Sequence, residues 1–379
     1  YPAVLEVMKE SLWVKPMLVA VAYKLMGEVR WGVKARVSIG AFTSMLDLAT
    51  DIYVTNMYWN DETKYGYFQA SLASLSVSMG IQLVIIYLIY WKMKWQTVLM
   101  ESLPVLIGFK PALDAYRVVS GEEQKRNITV APMMEITYMK GVEMFAEAIP
   151  GVIIQLMAII TTKEDEEISK GAFASLAISA LSTGFIGASI SYDWDTHPEK
   201  RKQTPEFYGY VPAEAKKRSI VFISMLFFSA SLLVTRCTAI VLLALFGTKW
   251  AFTYIVADLG IYLIIKIFRG DFWASVPLDG NKEIVSSIIL RIATKLQTDF
   301  PSIVQYRHPN EIGGFQWAMS FIISLSSLPI AIFICEKNGL PLKYLALAKS
   351  IAYYAIPIAV LSFVTFLINI EKKYYSTFW

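Results

Sequence analysis

The chain has 379 residues, 55% of them hydrophobic and 17% charged, with a mean hydropathy of +0.47 and a formal net charge of +4. The apolar residues fall in long blocks rather than short alternations, which excludes an ordinary soluble domain and points to an all-α polytopic membrane protein. No nucleic-acid partner is expected.

Residues 1–36 read as a cytoplasmic amphipathic arm. Across 4–26, Leu5, Met8, Leu12, Val19 and Tyr23 alternate with Glu6, Lys9, Lys15 and Lys24, the pattern of a helix lying on a membrane surface, and Pro16 is placed to kink it. The chain begins at Tyr1, and no short apolar region with a cleavage site precedes the first span, so the expectation is a piece internal to a longer product. Eight apolar blocks follow at 37–59, 69–91, 133–160, 171–192, 219–246, 250–268, 315–335 and 344–370, each near the ~20 residues that a spanning helix needs. Two further blocks are apolar but broken. Residues 97–119 carry Glu101, Pro104, Gly108, Lys110, Pro111, Asp114 and Arg117, and 272–300 carry a Pro277/Gly280 break before an amphipathic run. Both read as re-entrant or half-membrane elements.

The order of elements repeats. Residues 37–192 hold four spans and a broken element, 219–370 hold the same, and a basic loop at 193–218 separates them, so a pseudo-twofold repeat is expected. Lys and Arg concentrate on one side, in the arm, in 193–218 and near Lys372 and Lys373 of the tail 371–379, which places both termini in the cytoplasm. The basic loop could touch anionic lipid or recruit an accessory membrane or cytoplasmic protein, and its simplest role is solvated loop charge. The sequon Asn127–Ile128–Thr129 falls on the inner side and is discounted.

Charges inside the spans carry the functional signal. Asp47 and Asp51 lie four residues apart in the first span, and so do Glu143 and Glu147 in MKGVEMFAEAIPGVIIQLMAII, with Lys140 before them and Gln155 after. A carboxylate at the bilayer centre costs roughly 2.5–3.5 kcal/mol on insertion scales, so it persists only beside a cation, protein or water. Lys110, Arg117, Arg236 and Lys266 are available cations, with Asp258 on the acidic side. Two readings fit: a hydrophilic furrow across the membrane, or fixed ion pairs that hold helices together. Pro150 after Glu147 interrupts the backbone ladder at mid-span, which either opens a cavity or bends the helix. Tyr58, Trp59, Tyr90, Trp91 and Trp95 at span ends read as an interfacial aromatic belt. Cys237 and Cys335 read as buried thiols; with His197 and His308 they form no metal-ligand spacing, and phosphate-binding, HExxH and nucleophile-elbow motifs are absent. No enzyme activity, cofactor or metal is expected.

DLATDIYVTNMYW in the first span resembles the opening helix of XK-related membrane proteins. GFKPALDAYRV is similar to that family's broken element, EMFAEAIPGVIIQL to its Glu-x-x-Pro-x-x-x-x-Gln helix, and FFSASLLVTRCTAIVLLALFG to its span with a central Arg, here Arg236. The resemblance covers roughly residues 37–269 and extends beyond them by hydropathy. It implies a helical pseudo-twofold fold and energy-independent phospholipid scrambling at the plasma membrane, with Asp47, Asp51, Glu143, Glu147 and Arg236 on an internal hydrophilic path. Together the residues and the resemblance give a lipid path of Asp47, Asp51, Lys110, Arg117, Lys140, Glu143, Glu147, Gln155, Arg236, Asp258 and Lys266, formed by the first, third and fifth spans. The rivals are an ion channel or transporter using the same interior, and a non-transporting scaffold.

Overall fold

The computed structural model describes residues 11, 13–122, 128, 130, 132–162, 169–196, 208–270, 272–273, 281–299 and 313–370. The sequon residues Asn127 and Thr129, His197, His308, the Pro277/Gly280 break and the tail 371–379 lie outside them. Among the described residues the regular structure is entirely helical, and eight helices are long and apolar enough to cross a membrane. Helix is the form in which a chain meets its own backbone hydrogen bonds where water is absent.

Helix α1 (Val14–Trp59) runs unbroken through the end of the arm and the first span; Pro16 sits in its first turn, where the missing N–H has no intrahelical partner to lose. Asp61 then caps a short turn, accepting from the Thr63 hydroxyl and amide and pairing with Lys64 at 2.9 Å, contacts that hold its carboxyl at about 2. Helix α2 (Tyr65–Tyr90) returns across the membrane. Helices α3 (Trp95–Leu106) and α4 (Lys110–Ser120) make the broken element, a helical hairpin reversing at Gly108. Gly108 has φ +74°, a left-handed conformation that favours glycine, and it packs against the Leu48 side chain of α1.

The third span is composite: α5 (Pro132–Glu143), a π turn (Met144–Ala148) and α6 (Ile149–Thr161). It is followed by α7 (Lys170–Thr196), α8 (Ala215–Phe246), α9 (Thr248–Phe268), α10 (Asn281–Asp299), α11 (Gly313–Lys337) and α12 (Leu342–Asn369). Helix α8 is the central post and packs against α6, α7, α9, α11 and α12. Its apolar window is 78% buried, whereas that of α2 is 17% buried. The serines, alanines and glycines of α7 let it approach α8 closely, since packing rather than hydrophobic exclusion joins helices in lipid.

Two of the belt residues are corrected by the fold. Tyr58 and Tyr90 are buried, and Tyr90 hydrogen-bonds to Glu135 and Arg117, because the hairpin and the third span cover the ends of α1 and α2. Trp59, Trp91 and Trp95 are exposed. Cys237 and Cys335 are free buried thiols.

Candidate functional site

One face of α1 organises the interior. Arg36, Gly40, Ser44, Asp47, Asp51 and Thr55 recur every three or four residues, so they form a single stripe along the helix. Asp47 and Asp51 are buried against α7, where the Ser179 hydroxyl donates to Asp47 at 2.5 Å and the Ser175 hydroxyl to Asp51 at 3.4 Å. From α6, Gln155 Nε2 donates to Asp51 at 2.8 Å.

Pro150 explains the π turn beside this stripe. Its ring lacks an N–H and crowds the carbonyl four residues back, so the ladder shifts register and the Ile149 N–H reaches Met144 instead. The freed Ala146 carbonyl accepts from the Ser74 hydroxyl of α2 at 2.8 Å. Glu147 lies inside the turn and accepts from Ser78 of α2 at 2.9 Å, and Gln82 supports Ser78 at 3.2 Å. Lys140, also buried, points at Gly40, where a Cβ would lie 2.5 Å from its Nζ; the glycine makes the space for the ammonium. Among the described residues no Lys or Arg nitrogen lies within 4.0 Å of Asp47, Asp51, Glu143 or Glu147.

Cavities follow the stripe from end to end. A cleft of about 640 Å³ begins at Gly32–Ile39 and shares Arg36 with a cavity of about 20 Å³ that reaches Lys140 and Asp193. Lys140 and Ile136 are common to the next, of about 40 Å³, which holds Ser44, Glu143 and Glu147. Glu147 joins that cavity to one of about 10 Å³ containing Asp51 and Gln155. Thr55 and Leu75 separate the last from a cleft of about 440 Å³ between α1 and α2, ending at Trp59. The three inner spaces are of water size, and the seams between them are single side chains. Arg36, paired with Asp193, and Lys140 lie at one end, and Glu143, Glu147 and Asp51 follow along the cavities, with Asp47 on the same stripe.

Other expected path residues sit in separate groups. Lys110 borders the 40 Å³ cavity, but its ammonium is held by Glu135 at 2.5 Å, Asp114 at 2.7 Å and Glu101 at 3.5 Å. Arg117 makes two bonds to Glu101, at 2.5 and 2.8 Å, and one to Tyr90. Arg236 of α8 pairs with Asp258 of α9 and donates to Ser324 at 2.7 Å, with Lys295 of α10 joining Asp258 at 3.1 Å. Lys266 is fully buried on α9 near the Tyr262 ring. The structure therefore brings together Asp47, Asp51, Lys140, Glu143, Glu147 and Gln155 between α1, α2, the third span and α7. Arg236 of the fifth span lies with the second-half group. Helix α10 of that half packs against the π turn.

The serines that hold the acids went unselected in the sequence reading. Their signal is present as small polar residues at spacing four in apolar helices: Ser74, Ser78 and Gln82 on α2, and Ser175 and Ser179 on α7. Neither a comparison with protein-family models nor one with curated proteins finds a match for this chain.

Proposed function

We propose that the stripe on α1 is the route by which phospholipid headgroups cross the membrane without energy input, while acyl chains stay in the bilayer. The observation that carries this reading is the succession of small cavities past Glu143, Glu147 and Asp51, along a row in which Asp47, Asp51 and Glu147 have hydroxyl and amide partners in place of cations. A zwitterionic headgroup matches the polarity of the row, its phosphate suited to Lys140 and Arg36 and its amine to the acids. In the closed form α2 covers the row, and few of its apolar residues are anchored within the protein. Separation of α2 exchanges the Ser74 and Ser78 bonds for bonds to a headgroup, at about 0.5–1.5 kcal/mol net each. The cleft of about 440 Å³ between α1 and α2 then gives the tails a lateral exit. The resemblance to XK-related proteins supports the same reading and implies a plasma-membrane location, and loop charge is the basis for proposing cytoplasmic termini.

The test is dithionite quenching of fluorescent phospholipid in vesicles containing the purified chain. Quenching beyond the outer-leaflet half is expected; full protection of the inner half, with protein verified in every vesicle, refutes lipid transport. A second reading, cation conduction, is favoured by the water-sized inner cavities, which suit an ion without any movement of α2. It requires potassium or sodium flux in the same vesicles with the lipid probe protected.

A further inference from the structure

The described residues 208–214 before α8 pack against the end of α7. Asp195, at the end of α7, accepts the backbone N–H groups of Gly209, Tyr210 and Val211, which folds the chain back and fixes Val211 and Pro212 as a wall. That wall, the first turns of the α1 span, the last turns of α7 and the start of α8 enclose the cleft of about 640 Å³, a size within the ~300–1,000 Å³ of ligand pockets.

The cleft is amphipathic along its length. Arg36 and Arg218 line it together with Phe185, Phe222, Ile39 and Ile223. Gly32 and Ile39 lie seven residues apart on α1, about 10 Å at 1.5 Å per residue, so the cleft extends along the first two turns of the apolar span. Ile39 and Ile223 are 49% and 52% exposed, which leaves its side open to acyl chains. Arg36 is held in place by Asp193 at 2.5 Å and by stacking on Tyr192 at 4.0 Å. Arg218 has no side-chain partner among the described residues. Beside it on α8, Lys217 pairs with Glu214 at 3.0 Å.

We infer that this cleft binds an anionic phospholipid from the adjoining leaflet, its phosphate between Arg36 and Arg218 and its acyl chains against Ile39, Phe185, Phe222 and Ile223. A soluble anion would not require the apolar wall, and a lipid without net negative charge would leave the charge of Arg218 uncompensated, since Arg36 is already paired with Asp193. The inference does not depend on lipid transport, because the bound lipid is a resident ligand of the closed form.

The test uses the purified full chain in neutral detergent with phosphatidylserine bearing a photoreactive acyl chain, against phosphatidylcholine bearing the same chain. Phosphatidylserine is expected to label peptides containing Ile39 and Ile223 at least fivefold more strongly. Arg218→Gln should reduce that labelling to the phosphatidylcholine level. Ile223→Trp, at a lipid-exposed position that does not endanger folding, should block both lipids by filling the channel. Equal labelling by the two lipids, or phosphatidylserine labelling unchanged in both variants, overturns the inference. So does full competition by glycerophosphoserine, which lacks acyl chains and would identify a soluble-phosphate site.

Discussion

The hairpin α3–α4 and the stripe on α1 both bury carboxylates beside a lysine, and they neutralise them in opposite ways. In the hairpin, Glu101 and Asp114 lie within salt-bridge distance of Lys110, as does Glu135 of α5, and Arg117 closes the ring on Glu101. On the stripe, Asp47, Asp51 and Glu147 are held by Ser179, Gln155 and Ser78, with no cation within 4.0 Å among the described residues. Ion pairing compensates buried charge permanently and fixes geometry. Hydroxyl and amide donors leave the charge uncompensated and exchange at low cost, which is what a transient cationic visitor requires.

The comparison can be broken at its strongest point first. Lys110→Met removes the hub cation and leaves three carboxylates crowded together, so a loss of about 3–5 kcal/mol is expected, read as a lowered unfolding midpoint in detergent. A silent Lys110→Met would mean that the hairpin network is not structural. Leu75→Ala, at the seam between the outer cleft and the acid cavity, should cost about 2–3 kcal/mol and accelerate lipid flipping several-fold. Slower flipping in a folded Leu75→Ala protein would show that the seam is not a barrier. Ser78→Ala sharpens the contrast at smallest cost: about 1 kcal/mol from one lost hydrogen bond, with a change of only a few-fold in flipping rate.

Much of this arrangement was legible in the chain because membrane helices obey length and hydropathy. The eight spans, the break in 97–119 and the shared face of Asp47 and Asp51 follow from residue type and helical spacing. Pro150 marked a disturbance, but whether a proline bends a helix or shifts it into a π register depends on what donates to the freed carbonyl, here the Ser74 hydroxyl from another helix. The partners of Lys110 and Arg117 were hidden for a related reason. Both cations found acids close in the chain, Asp114 four residues from Lys110 and Glu101 sixteen from Arg117, instead of the distant acids of α1. Arg36, one of the basic residues of the arm, stacks on Tyr192, a contact 156 residues away that no local pattern encodes.

The rate of lipid flipping by an Asp47→Asn/Glu147→Gln double variant, beside the unmodified chain in matched vesicles, tests the role of the stripe most directly. Neutralising two uncompensated buried acids should leave thermal stability unchanged or raised. Flipping should fall at least tenfold. An unchanged flipping rate in a double variant of intact stability would contradict a headgroup route along α1.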